Sequence, residues 1–102
     1  MRFLFVDDHQ LVREALAYYL KAGDENIEVV EAGSLDEAMR RPQKPDFDVV
    51  LLDYRLPGMT GDTAVAMACQ HFRDTPVIVL SGAVTRDEAR AALARGAAGV
   101  IS

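Results

Sequence analysis

Val49-Val50-Leu51-Leu52-Asp53 is four apolar residues in a row, stopped by an acid. A run of that length without polar alternation reads as a strand covered on both faces, the mark of a parallel sheet. Phe3 to Val6 is a similar run before it, and Val77 to Leu80 another after it. Gly99-Val100-Ile101 is a shorter one near the end of the chain. Ile27-Glu28-Val29-Val30 carries a charge and alternates, which places it at a sheet edge.

The stretches between these runs have helical patterning. Val12, Ala15, Leu16, Tyr19 and Leu20 recur at the spacing of one helix face, and Gly23 follows them. Ser34-Leu35-Asp36-Glu37 and Thr85-Arg86-Asp87-Glu88 each have the form of a capping box, and Gly96 closes the helix that the second one opens. Asp62 to His71 is Ala-rich and helix-compatible. Strand and helix thus alternate through five strands and four helices. Right-handed crossovers put helices on both faces of an open, doubly wound α/β sheet. A flavodoxin-like order 2-1-3-4-5 leaves the Glu28 strand at an edge, and it opens a crevice beyond the carboxyl ends of strands 1 and 3.

Composition sets bounds on function. The chain has 102 residues, the size of one domain. Half of it is hydrophobic and 26% charged, as in a globular protein. Eleven basic residues against sixteen acidic give a net charge of -5, a poor surface for the phosphates of DNA or RNA. No apolar run approaches the ~20 residues of a membrane helix, and the N-terminus turns acidic too soon for a signal peptide. Cys69 stands alone, which excludes an internal disulfide and suits a cytoplasmic protein. It reads as a packing residue.

The crevice rule selects particular side chains. Strand 1 runs into Asp7-Asp8, strand 3 into Asp53 and strand 4 into Ser81-Gly82. Any one acid there has an ordinary reading; Asp8 alone serves equally well as the cap of the first helix. Three together repel one another by a few kcal/mol per pair at ~4 Å and an effective dielectric of ~20. A divalent cation is the natural compensation, and an all-oxygen donor set suits Mg²⁺. His9 reads more readily as a surface residue at a helix start than as a ligand or base.

Four segments carry a resemblance. Asp7-Asp8-His9, Leu52-Asp53-Tyr54-Arg55-Leu56-Pro57-Gly58-Met59-Thr60-Gly61, Val79-Leu80-Ser81-Gly82 and Gly96-Ala97-Ala98-Gly99-Val100-Ile101-Ser102 resemble, in order, the motifs of the receiver domain of two-component response regulators. The resemblance covers the chain end to end. It implies a phosphorylation-controlled switch, not a turnover enzyme beyond its own phosphorylation and dephosphorylation. Asp53 would be the phosphoacceptor, supplied by a sensor histidine kinase. Asp7, Asp8, Asp53 and the backbone carbonyl of Arg55 would hold Mg²⁺, and Ser81 would be the switch hydroxyl. Asp7-Asp8-His9 with Leu11-Val12-Arg13 resembles the subfamily with a C-terminal helix-turn-helix output domain, so a homodimer controlling transcription is implied.

Two departures bear on that reading. Val100 stands where the family usually has an aromatic residue. The family's phosphate-binding Lys would follow Ser102, and a fifth helix would cover strand 5, so residues 1–102 are expected to be a receiver cut before that helix. The alternative is a divergent receiver that works as an interaction or dimerisation module without phosphorylation. A haloacid-dehalogenase-like phosphatase would need D-x-D after the first strand, whereas Asp7 and Asp8 are adjacent. No G-x-G-x-x-G or Walker loop is present to bind a nucleotide.

Overall fold

A computed structural model describes residues 1–42 and 46–101. The elements in chain order are β1 (Arg2–Val6), α1 (Gln10–Gly23), β2 (Glu28–Ala32), α2 (Leu35–Arg40), β3 (Val49–Asp53), α3 (Gly61–His71), β4 (Val77–Leu80), α4 (Arg86–Ala94) and β5 (Gly99–Ile101). The strands form one parallel sheet in the order β2-β1-β3-β4-β5, as expected from the apolar runs.

The core lies mainly on one face of that sheet. Leu4, Val6, Val50, Leu52 and Val79 are fully buried there, against Ala64, Val65 and Ala68 of α3 and Ala92 of α4. Small Ala side chains let the helices approach closely. Burying each of the larger side chains stabilises by about 1.5–3 kcal/mol.

One expectation needs correction. The second strand begins at Glu28 and runs on through Glu31 and Ala32, in register with Arg2 to Val6. The charge of Glu31 hid this extension, and Arg13 Nε meets its carboxylate at 3.2 Å. The apolar face of α1 is not buried: Val12, Ala15 and Tyr19 are exposed, and no residue of α1 reaches the core. That face instead borders an open groove of about 330 Å³, which Phe5, Leu16, Leu80 and Ile101 also line.

The caps follow the sequence with one change. Ser34 Oγ accepts the Glu37 N–H at 3.1 Å, but the Glu37 carboxylate reaches back to the Gly33 N–H, not to that of Ser34. At α4 both halves of the box form: Thr85 Oγ1 accepts from the Glu88 N–H at 3.1 Å, and Glu88 Oε1 accepts from the Thr85 N–H at 3.0 Å. Gly96, at φ 110°, ends α4; its N–H donates to Leu93 O and that of Ala97 to Ala92 O, the paired bonds of a Schellman turn. Thr85→Ala should therefore cost about 1 kcal/mol and lower the melting temperature by roughly 4–8 °C, while Thr85→Ser keeps most of the cap. Equal melting of both variants and wild type would show that the cap adds nothing.

Candidate functional site

The strand ends deliver the expected side chains to one place. The Asp7 N–H donates to Ala32 O, the Tyr54 N–H to Leu80 O and the Ser81 N–H to Ile101 O, so each site residue sits on or beside the last rung of the sheet. Carboxylate oxygens of Asp7, Asp8 and Asp53 and a ring nitrogen of His9 lie within 4.8 Å of one another. Asp7 and Ser81 are buried, Asp53 is half-buried and Asp8 is exposed.

Asp7 is tied down most firmly. Its Oδ1 accepts the His9 N–H at 2.8 Å and lies 2.9 Å from His9 Nδ1, and Arg13 Nη1 donates to its carbonyl. His9 Nδ1 is also 3.2 Å from Asp8. His9 itself occupies the N-cap of α1, so Asp8 does not cap that helix. His9 is thus both the exposed helix-start residue expected and a member of the acidic cluster. Nothing local in the sequence marks Arg13 as part of the site; its partners are the Asp7 carbonyl, just past β1, and Glu31 of β2.

The electrostatics follow from this crowding. The hydrogen bond to Asp7, then the charges of Asp8 and Asp7, push the His9 pKa above its ordinary value. Burial pushes the Asp53 carboxyl above the usual carboxylate value; the Arg55 N–H at 3.1 Å opposes this, and the charges of Asp7 and Asp8 add to it. A cluster of acids strained in this way fits a hard divalent cation, which keeps several waters and takes a few carboxylates. Ser81 Oγ accepts the Ala83 N–H at 3.3 Å. The Arg55 guanidinium is directed at Ala83 O and Glu88, and the Tyr54 hydroxyl donates to Asp62 Oδ1 at 3.0 Å. Burial, then that acceptor, raises the Tyr54 pKa, so the hydroxyl keeps its proton.

Residues 3–102 match the description of the response regulator receiver domain. The chain belongs to that family. This receiver is 38% identical over 98 residues to the uncharacterised transcriptional regulatory protein YhcZ of Bacillus subtilis, covering 95% of this chain and 45% of that protein. It is 34% identical over 102 residues to the transcriptional activator ExaE of Pseudomonas putida, covering 100% and 48%. The receiver thus spans about half the length of these curated relatives. Among solved structures it resembles the chemotaxis protein CheY4 of Vibrio cholerae at a TM-score of 0.83 and 29% identity, over 98% of this chain and 83% of that one. It also resembles a Burkholderia pseudomallei response regulator whose structure holds a phosphorylated aspartic acid and a calcium ion, at a TM-score of 0.83 and 26% identity, over 97% and 57%. The family fits the expected α/β fold with order 2-1-3-4-5. The last motif residue, Ser102, lies outside the described residues. No helix among the described residues is long and apolar enough to cross a membrane.

Proposed function

We propose that this receiver is a phosphorylation-controlled switch in which Asp53 takes a phosphoryl group from the phosphohistidine of a sensor histidine kinase. A carboxylate oxygen attacks phosphorus, the P–N bond breaks, and the histidine leaves with a proton from solvent. The observation that carries the reading is the Asp53 carboxylate at the end of β3, grouped with Asp7 and Asp8 and flanked by Ser81 just past the end of β4. Asp7, Asp8, Asp53 and the Arg55 carbonyl are the residues that would hold Mg²⁺, which when bound supplies positive charge against the phosphoryl oxygens. Ser81 would exchange its bond with the Ala83 N–H for one to a phosphoryl oxygen. The test is intact mass after incubation with Mg²⁺ and acetyl phosphate. One added phosphoryl group, removed by hydroxylamine, supports the reading; none supports a phosphorylation-independent module.

The same reading makes the receiver one cytoplasmic module of a longer transcriptional regulator that acts as a homodimer. The lengths and names of YhcZ and ExaE support the longer transcriptional regulator. Its net charge of -5 leaves contact with nucleic acid to the output domain.

Metal binding has its own expected result. Mg²⁺ at ten times its Kd should add about 1.4 kcal/mol to the stability of the wild type. Asp8→Ala should lose that shift while folding normally without metal, because one like charge has gone. A thermal melt that Mg²⁺ leaves unmoved in wild type would remove the shared site.

A further inference from the structure

Arg55 begins at the phosphoacceptor turn and ends on another element. Its N–H donates to Asp53 Oδ1, while its guanidinium donates to Ala83 O at 2.9 Å and to Glu88 Oε1 at 3.2 Å. Glu88 Oε1 is the oxygen that also accepts the Thr85 N–H and closes the α4 cap. The Ala83 N–H in turn donates to Ser81 Oγ. One side chain therefore grips the middle of the segment that joins β4 to α4 and the first turn of α4 behind it, and that segment begins with Ser81.

The segment has few other ties. Gly82 and Ala83 are exposed, and a Cβ on Gly82 would meet nothing within 4 Å. Among the described residues no backbone–backbone hydrogen bond involves Gly82, Ala83 or Val84. The guanidinium is steadied from the other side, 5.3 Å from the centre of the Tyr54 ring.

We propose that Arg55 is a strap. In the unmodified protein it pins the β4–α4 turn, with Ser81, in its resting position, and a phosphoryl group on Asp53 draws the guanidinium off Glu88 and so lets the turn shift toward the phosphoryl group. The release rests on the reading of Asp53 as phosphoacceptor. Glu88 offers Arg55 one negative charge at a partly solvated surface. A phosphoryl group brings close to two, with three strong acceptor oxygens, to a carboxylate that the Arg55 backbone already touches. The planar guanidinium fork suits such oxygens better than a shared carboxylate oxygen. Once it leaves, the Ala83 carbonyl loses its donor and Glu88 holds only the cap. The turn is then a two-state element that the phosphoryl group biases.

The experiment follows amide hydrogen exchange across residues 81–88 in the full chain, with beryllofluoride and Mg²⁺ as the phosphoryl mimic. Glu88→Gln keeps a cap oxygen but drops the charge, and Arg55→Met drops the donor but keeps the backbone carbonyl. Each should speed exchange of the ligand-free turn by about 2–5-fold, the scale of an exposed ion pair, with no further gain in the double variant. Beryllofluoride should bind Glu88→Gln about 2–5-fold more tightly than wild type, because the resting contact is already gone. Wild-type exchange in both single variants would overturn the strap. Equal affinity of wild type and Glu88→Gln for beryllofluoride would overturn the release. If wild type takes up no beryllofluoride, the phosphoacceptor reading fails and the release with it, while exchange in the ligand-free variants still decides the strap.

Discussion

Asp53→Asn abolishes covalent labelling by acetyl phosphate: that is the expected result, with the fold intact. Asn has the shape of Asp but no anionic oxygen to attack phosphorus. The neighbouring acids are poor substitutes, since Asp7 is buried and bound to His9, and Asp8 also faces His9. The same variant reports on the charge cluster. With chelator present, burial and the neighbouring acids hold the Asp53 carboxyl above its ordinary value, so the folded state binds its proton more tightly than the unfolded chain does. Ionised Asp53 is then unfavourable to folding above its raised folded value, and this burden vanishes below the ordinary carboxylate range. Asp53→Asn should therefore be the more stable protein at neutral pH, and its advantage should fade as pH falls through that window. Asp53 is partly exposed, so solvent screening keeps the gain below ~1 kcal/mol. Full labelling of the Asn variant would remove Asp53 as acceptor. A pH-independent difference in melting would remove the electrostatic account.

What was legible in the chain depended on how local the signal was. The runs at Phe3, Val49 and Val77 are unbroken apolar segments, so each could be read as a strand without knowing its neighbours. Asp7, Asp53 and Ser81 were legible because a parallel sheet aligns its carboxyl ends. The extent of β2 was not, since Glu31 looks like a strand end until Arg13, eighteen residues away, is seen to meet it. Val12, Ala15 and Tyr19 do share a face of α1, yet that face is exposed. Helical spacing says which residues share a face, and it says nothing of what lies opposite. Arg55 and Glu88 are separated by 33 residues, and neither carries a pattern that points to the other. His9 was legible as a helix start. Its place among the acids depends on the turn by which its N–H folds back onto Asp7.

Gly61→Ala should destabilise the protein by about 2–4 kcal/mol, more than an added methyl normally does. Gly61 opens α3 directly behind its N-cap, Thr60, and a Cβ there would lie 2.3–2.5 Å from three atoms of the Tyr54 ring. The ring has little room to yield. It is buried, and its hydroxyl is held by Asp62, one residue along the same helix. Overpacking of this kind costs about 1–3 kcal/mol, and losing the Tyr54–Asp62 hydrogen bond adds roughly another. For a domain of this size the melting temperature should fall by about 10 °C or more. Gly23→Ala is the control: that glycine ends α1 with nothing within 4 Å of a Cβ, so Ala should be neutral or stabilising by up to about 1 kcal/mol. A second control removes the obstacle. In a Tyr54→Ala background Gly61→Ala should cost little, because the atoms it strikes are gone, and the two changes should be strongly non-additive. Additive losses, or a Gly61→Ala variant that melts with wild type, would show that the ring can move aside. The consequence reaches beyond stability, since the Tyr54 ring is also what Arg55 lies against. A side chain at position 61 should therefore unsettle Arg55 as well, and speed exchange in the β4–α4 turn without any change to Arg55 or Glu88.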